Sequence, residues 1–482
     1  MHSTIADLWP VLVLIADITA ATAVTMDAVL RKRHVPSIVG WIGLAWLAPL
    51  VGSFLYLCFG INRIKTSAIT HELEAAWARD AKPGTLSNET SSPEHITAPH
   101  PFAGLARLGR EVTGNLLVSG NQVTLLKNGD EAYPAMLDAI GRANQSVALL
   151  VYIMDNDSVG QLFLDALLLA IKQGVHVRVL IDDFGARYTR PSMISRLCDS
   201  GIPVAGFLPT RTARLIRYAN LRNHRKILVV DGAIGFTGGM NIREAHWLAR
   251  SVRDSAHCAH FRIEGPIVAD MQRTFAVDWA FTTGEHLKGA RWFPALDRRS
   301  TVVARGVKDG PDADLDNMLR IILGALSVAT QTVRIVTPYF LPNDALLRAV
   351  QVTALRGIDV AIVLPFKSNI PIMDWAMAPQ LPDLLTAGCR IYFTPGMFDH
   401  TKLFVVDSFW SLIGSTNWDA RSLRLNFEYN LECYDASLAQ NLENLIEGKI
   451  ARAYRLRLCD TQSTGFPVRL RNGLARLLSP FL

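Results

Sequence analysis

The chain repeats itself, and that repeat limits how it can fold. Residues 147–154 (VALLVYIM) match 333–340 (VRIVTPYF), 174–183 (GVHVRVLIDD) match 357–366 (GIDVAIVLPF), and 200–209 (SGIPVAGFLP) match 387–396 (AGCRIYFTPG). The copies lie about 180 residues apart, far beyond the roughly 20–50 of a solenoid repeat. In each copy, apolar runs of strand length alternate with helical stretches such as 158–173 and 344–356. That alternation is the pattern of an α/β unit whose sheet is covered on both faces. Two homologous α/β lobes packed face to face are therefore expected, around a shared site that takes equivalent residues from each.

Each copy also carries one polar constellation. The first, NHRKILVVDGAIGFTGGMN, holds His224, Lys226, Asp231, Gly238, Gly239 and Asn241. The second, DHTKLFVVDSFWSLIGSTN, holds His400, Lys402, Asp407, Gly414, Ser415 and Asn417. In both, the lysine follows the histidine by two residues, the aspartate by seven and the asparagine by seventeen. Two residues apart on extended backbone, His and Lys point to one face. The Leu/Val stretch after them reads as the buried strand that holds them. The Gly-Gly or Gly-Ser turn lets backbone approach a ligand closely, as at phosphate sites.

Substitution at a phosphodiester concentrates charge on the non-bridging oxygens. Two lysines and two amides stabilise that charge without a metal. Two imidazoles divide the remaining work, one attacking phosphorus and the other protonating the departing alkoxide. A single H-x-K-x4-D is within the reach of chance. Two copies at identical offsets inside a duplicated fold are not.

On this doubled H-x-K-x4-D-x6-G-G/S-x-N motif, the chain resembles the phospholipase D superfamily from about Asn121 to its C-terminus. The resemblance implies ping-pong chemistry through a phosphohistidine, with His224 as nucleophile and His400 as general acid, then base. Lys226, Lys402, Asn241 and Asn417 would bind phosphate, beside Gly239 and Ser415. Asp231 and Asp407 complete the candidate catalytic set, although they look more like framework residues than groups touching phosphorus.

In this superfamily a carboxylate further along the chain orients each histidine. Glu428, in NFEYN, suits His400. For the first histidine, related lipid synthases show D-x-H before an R-x-E-G-P segment. Here the sequence is Cys258-Ala259-His260, then Arg262 to Pro266. Either Asp254 substitutes for the missing carboxylate, or the first histidine is less well oriented. His257, Cys258 and His260 lack a fourth ligand nearby, so no metal is expected, and no cofactor either.

The motif alone fits phospholipases, lipid synthases, nucleases and tyrosyl-DNA hydrolases, and the surroundings narrow the choice. Residues 36–60 hold 25 uncharged positions, enough to span a bilayer. Residues 9–30 are a weaker span, because Asp17 near its middle costs about 2.5–3.5 kcal/mol on insertion scales. Arg31, Lys32 and Arg33 would form the turn of a transmembrane helical hairpin. That hairpin, the ending FLYLCFGINRIK, the segments EAYPAMLDAIGRANQSVALLVYI and VTPYFLP, and R-x-E-G-P resemble bacterial cardiolipin synthases. The expected organisation is a membrane anchor over 1–65, a polar linker over 66–118, a first lobe over 119–300 and a second over 301–482.

The implied reaction joins two phosphatidylglycerols into cardiolipin and glycerol, in a multi-pass protein of the inner (plasma) membrane. A hydrolysing phospholipase D is the alternative within the same chemistry, and a membrane-tethered nuclease the alternative outside it. A net charge of +6 and pI near 9.0 suit an anionic lipid surface as well as nucleic acid. Aromatics make up only 8% of the residues and form no stacking stripe, so nucleic acid is not the expected partner.

The ending FPVRLRNGLARLLSPFL reads as a basic amphipathic segment, either lying on anionic lipid or packing its leucines on the second lobe. Arg211, Arg214, Arg217 and Arg222 either guide lipid phosphates towards His224 or form a solvated face. The six scattered cysteines include no C-x-x-C pair and read as reduced packing residues.

Overall fold

Runs such as ILVV (227–230), TVRIV (332–336) and LFVV (403–406) are too short and too evenly apolar for amphipathic helices. In the structure, a computed structural model, they are buried strands of one mixed α/β sheet. The described residues are 2–31, 35–60, 69–70, 72–73, 101–209, 218, 220–250, 255–312, 314–462 and 465–479. The chain divides into two units, residues 1–64 with 208–221 and residues 65–207 with 222–482.

In the larger unit the first repeat supplies β1 (Val118–Lys127), β2 (Ser146–Val151), β3 (His176–Asp182), β4 (Val204–Phe207), β5 (Arg222–Asn223), β6 (Ile227–Val230), β7 (Ile234–Gly238), β8 (Ala256–His257) and β9 (Ala259–Glu264). The second supplies β10 (Val302–Asp309), β11 (Thr332–Val336), β12 (Phe340–Leu341), β13 (Asp359–Pro365), β14 (Arg390–Thr394), β15 (Phe398–Asp399), β16 (Leu403–Val406), β17 (Trp410–Gly414), β18 (Trp418–Asp419), β19 (Asn426–Tyr434) and β20 (Tyr454–Arg455). Read inward from one end the sheet runs β4-β3-β2-β6-β7-β9-β1. From the other, inside β20, it runs β14-β13-β11-β16-β17-β19-β10. The two series join where β1 and β10 pair antiparallel.

β2, β3 and β4 are parallel, as are β11, β13 and β14. Helices Ser158–Lys172 and Asp344–Leu355 make the crossovers that parallel pairs need. Each starts on a capping side chain, Asp157 in one and Asn343 in the other. Each series has its own apolar core. One is built around Tyr133, Phe163 and Phe236, the other around Ile321, Phe404 and Trp410.

The end of the expected linker is folded. Helix Ala103–Thr113 packs Leu105 and Ala106 into the second core. The buried Arg305 donates to the Ala106 carbonyl while paired with Glu432. Spaced three and four apart, Phe102, Leu105, Ala106 and Gly109 form the buried stripe of an amphipathic helix. Residues 74–100 of the expected linker lie outside the described residues.

The smaller unit corrects the expected order of the two apolar segments. Among the described residues, one helix is long and apolar enough to cross a membrane, Trp9–Arg31, with a mean hydropathy of 1.7. The segment 36–60 is not a single helix. Helix Val35–Leu47 has only 13 residues, a break follows at 48–50, and Val51–Leu55 leads into a wide turn over Tyr56–Gly60. Pro49 lies in the break, since proline lacks an N–H and disfavours helical backbone in the residue before it. The break also resolves the difficulty at Asp17, whose carboxylate accepts the Leu50 N–H at 2.7 Å. Asp27 accepts the Tyr56 hydroxyl at 2.7 Å and pairs with Arg31. Lys32 and Arg33, of the expected basic turn, lie outside the described residues.

Candidate active site

His224 follows β5, and His400 follows β15. Both edge strands pair with the opposite repeat, β5 with β19 and β15 with β8. The His224 N–H donates to the Phe427 carbonyl at 2.9 Å, and the His400 N–H to the His257 carbonyl at 2.7 Å. The two bonds are equivalent, so the residue after Phe427 and the residue after His257 occupy matching places. These are Glu428 and Cys258.

That equivalence overturns the expected pairing. Glu428 does not serve His400. Its carboxylate lies 2.9 Å from Nδ1 of His224 and also accepts from Ser415 Oγ and from Asn426 Nδ2, the latter at 3.1 Å. Cys258 faces His400 rather than the first histidine, with Sγ 4.0 Å from Nδ1 and a bond to the His400 carbonyl at 3.4 Å. His400 Nδ1 donates to the Gly239 carbonyl at 3.0 Å. Among the described residues it is therefore the second histidine that lacks a carboxylate. Asp254 lies outside the described residues.

The lysines behave alike. Lys226 Nζ donates to the His224 carbonyl at 2.7 Å, and Lys402 Nζ to the His400 carbonyl at 2.9 Å. Gly238 and Gly414 sit at φ of 148° and 151°, where side chains are disfavoured. A Cβ at Gly238 would come within 2.8 Å of the His260 backbone, and one at Gly414 within 2.5 Å of the Tyr429 carbonyl. A Cβ at Gly239 would meet Cys258 Sγ at 2.7 Å and the His400 carbonyl at 2.9 Å, so the turn of one motif packs on the histidine of the other.

Asn241 and Asn417 are both buried. Asn241 Oδ1 accepts the Ile153 N–H at 3.3 Å, and no bond occupies its NH2 among the described residues. Asn417 Nδ2 donates to Ser422 Oγ at 3.1 Å, while its Oδ1 is buried with no partner among the described residues. The Asp231 carboxylate accepts backbone N–H groups from Asn144, Gln145 and Ser146, and Asp407 those of Thr330, Gln331 and Thr332. Both aspartates, at φ of 52° and 51°, fasten the start of β2 or β11.

Burial sets the electrostatics. It pushes His224 down to about 4 against the pull of Glu428, which favours the neutral imidazole near neutral pH. Its Nδ1–H is donated to Glu428, which leaves the Nε2 lone pair free. For Glu428, burial works upward but is outweighed by His224, Lys226 and Ser415, and the carboxyl stays below its usual range. Burial and then Lys402 hold His400 well below the usual imidazole range. Burial lowers Lys226 to about 7 and Lys402 to about 8. Such a site has room for the negative charge of a phosphodiester, which would return both lysines towards the fully charged state.

Several supporting residues carried only faint sequence signals. Asn223 and Arg225 flank His224 and both bond Asp278, the arginine at 2.7 Å. On the other side Lys449 pairs with Asp399, the residue before His400. Tyr152 lies edge-on to His224 at 5.1 Å between ring centres, and Tyr339 edge-on to His400 at 6.4 Å. Both tyrosines sit in the matched segments VALLVYIM and VRIVTPYF, which was the available signal. His246, with no such signal, lies 6.0 Å from the His400 ring.

Arg222 sits over the Phe184 ring at 4.0 Å, and Arg211, Arg214 and Arg217 lie outside the described residues. Among the described residues no three His, Cys, Asp or Glu side chains group as a metal set, the His257–Cys258–His260 run included.

A duplicated fold bearing two such motifs defines a phospholipase D-type protein. A family model described as "Cardiolipin synthase, PLD-like domain" matches residues 136–279 and 322–450, and the chain belongs to that family. It is 30% identical to a cardiolipin synthase of Geobacillus thermodenitrificans over 94% of this chain and 90% of that one. It is 29% identical to one of Staphylococcus aureus over 94% and 93%. Among solved structures, a phosphatidylserine synthase of Haemophilus influenzae superposes with a TM-score of 0.62. It covers 78% of this chain and 100% of that one at 16% identity, a likeness of fold.

Proposed function

We propose that the chain is a phosphatidyltransferase that makes cardiolipin and glycerol from two phosphatidylglycerols. Similarity to cardiolipin synthases along nearly the whole chain supports the reaction class. The observation that carries the residue roles is the asymmetry of the histidines. His224 has a carboxylate behind Nδ1, and His400 has a carbonyl.

His224 Nε2 attacks phosphorus of the first lipid. The P–N bond forms as the P–O bond to the terminal glycerol breaks, and His400 gives its proton to the departing oxygen. The terminal hydroxyl of the second lipid then attacks phosphorus while His400 takes its proton. The P–N bond breaks and His224 is restored. Glu428 stabilises the charge that grows on His224 as its nitrogen bonds phosphorus. Lys226, Lys402, Asn241 and Asn417 act on the non-bridging oxygens. The incoming anion opposes the effect of burial on His400 and lets it hold the proton that the first step needs.

In this reading residues 119–300 and 301–482 are two lobes around one shared site. Residues 1–65 anchor the enzyme in the plasma membrane, with Trp9–Arg31 crossing it. The test is purified protein given phosphatidylglycerol and, separately, single-stranded DNA. Equimolar cardiolipin and glycerol with intact DNA are expected. Phosphatidic acid as sole product would make it a hydrolase, and cut DNA a nuclease.

A further inference from the structure

Helix Phe466–Arg476 and the turn after it are turned inside out for a helix on a soluble protein. Asn472 and Ala475, three residues apart, are the buried ones. Ala475 fits against Met373, Ala376 and Leu341. The apolar stripe, Phe466, Leu470, Leu474 and Leu477, faces outward and is 67%, 52%, 57% and 73% exposed. At about 100° per residue, Arg469 and Arg476 border this stripe on one side and Arg471 on the other. All three arginines are exposed, and no Asp or Glu occurs from Gly465 to Ser479. A helix packed for its own stability would bury its leucines.

We propose that this face is a docking surface for an anionic lipid bilayer. The leucines and Phe466 enter the boundary between headgroups and acyl chains, and the flanking arginines meet lipid phosphates. Two further features place it. The Arg471 guanidinium lies over the Trp375 ring at 4.5 Å, which ties the helix to Pro371–Met377 and adds a half-exposed indole to the same region. The cluster that seats Ala475 also includes Tyr339, whose ring stands against His400. The docked helix is thus braced on the wall of the catalytic site, and lipid gathered there lies next to the chemistry.

The surface is argued from its own chemistry, and one arm of the test reads it whatever reaction the site performs. Full-length protein carrying a benzophenone amino acid in place of Leu474 is reconstituted in vesicles of phosphatidylglycerol and phosphatidylcholine, then irradiated. Adducts to labelled phospholipid are expected. A protein–protein adduct would show that a second copy covers the face, and no adduct would show that it stays in water; either overturns the proposal.

In the second arm, L470D/L474D should lower activity on phosphatidylglycerol vesicles about tenfold or more while sparing a short-chain phosphatidylglycerol dissolved as monomers. Equal loss on both substrates, or loss on neither, would also overturn it. Failure of the proposed reaction would look different, since the unaltered protein would then form no cardiolipin from either substrate.

Discussion

Glu428 holds Nδ1 of His224 at 2.9 Å across 204 residues of sequence, while His400, only 28 residues away, receives nothing from it. The place matching Glu428 beside His400 is filled by Cys258, whose thiol burial pushes up to about 12 and keeps neutral. The two halves of the site are alike in geometry and unlike in charge.

The exchange predicts unequal roles. Replacing either histidine, His224→Gln or His400→Gln, should cut turnover by about 10³-fold or more, since general acid–base or nucleophilic function is lost outright. Glutamine is preferred to alanine at 224 because alanine would strand the buried Glu428 carboxylate. Glu428→Gln removes the charge but keeps the shape, and a loss of about 10²–10⁴-fold in kcat is expected. A Glu428→Gln enzyme with unchanged kcat would refute the assignment of His224 as nucleophile.

At Cys258 an aspartate would restore a carboxylate to the second histidine. Cys258→Asp should raise the pKa of His400, followed by NMR titration of its ring, and hold or increase activity near neutral pH. Nearby Lys402 offsets the cost of burying the new charge. A lower melting temperature with an unmoved His400 titration would mean that position 258 only packs.

The lysines set the alkaline limb. A lysine acts while charged, and burial brings Lys226 to about 7 and Lys402 to about 8. The pH profile of kcat/KM should therefore fall above neutrality, well before an ordinary lysine titrates. Bound phosphodiester favours the ammonium form, so the limb of kcat should lie at higher pH than that of kcat/KM. Profiles that stay flat up to the ordinary lysine range would contradict this.

Asp231→Ala and Asp407→Ala should affect stability more than chemistry. Each leaves several backbone N–H groups without an acceptor and puts alanine at positive φ. A cost of about 1–3 kcal/mol is expected in denaturant unfolding. Turnover of the folded fraction should change little, and an aspartate whose loss abolished turnover without lowering stability would belong with the catalytic groups after all.

Much of this was written in local sequence. The doubled spacing of His, Lys, Asp and Asn placed these residues on matching strand ends and turns, because two-residue periodicity and glycine backbones act over a few positions. The same holds for the buried strands and the capped crossover helices. Pro49 was legible too, yet 25 uncharged residues read as one span, because hydropathy counts composition and not backbone hydrogen bonds.

The tertiary structure decided which carboxylate serves which histidine. That depends on β5 pairing with β19 and β15 with β8, contacts between repeats that no spacing within one repeat encodes. It also decided the last helix. The sequence carries two opposed faces, and only the seat offered by Met373 and Ala376, shaped for Ala475 rather than for leucine, determines which of them is left to the surroundings.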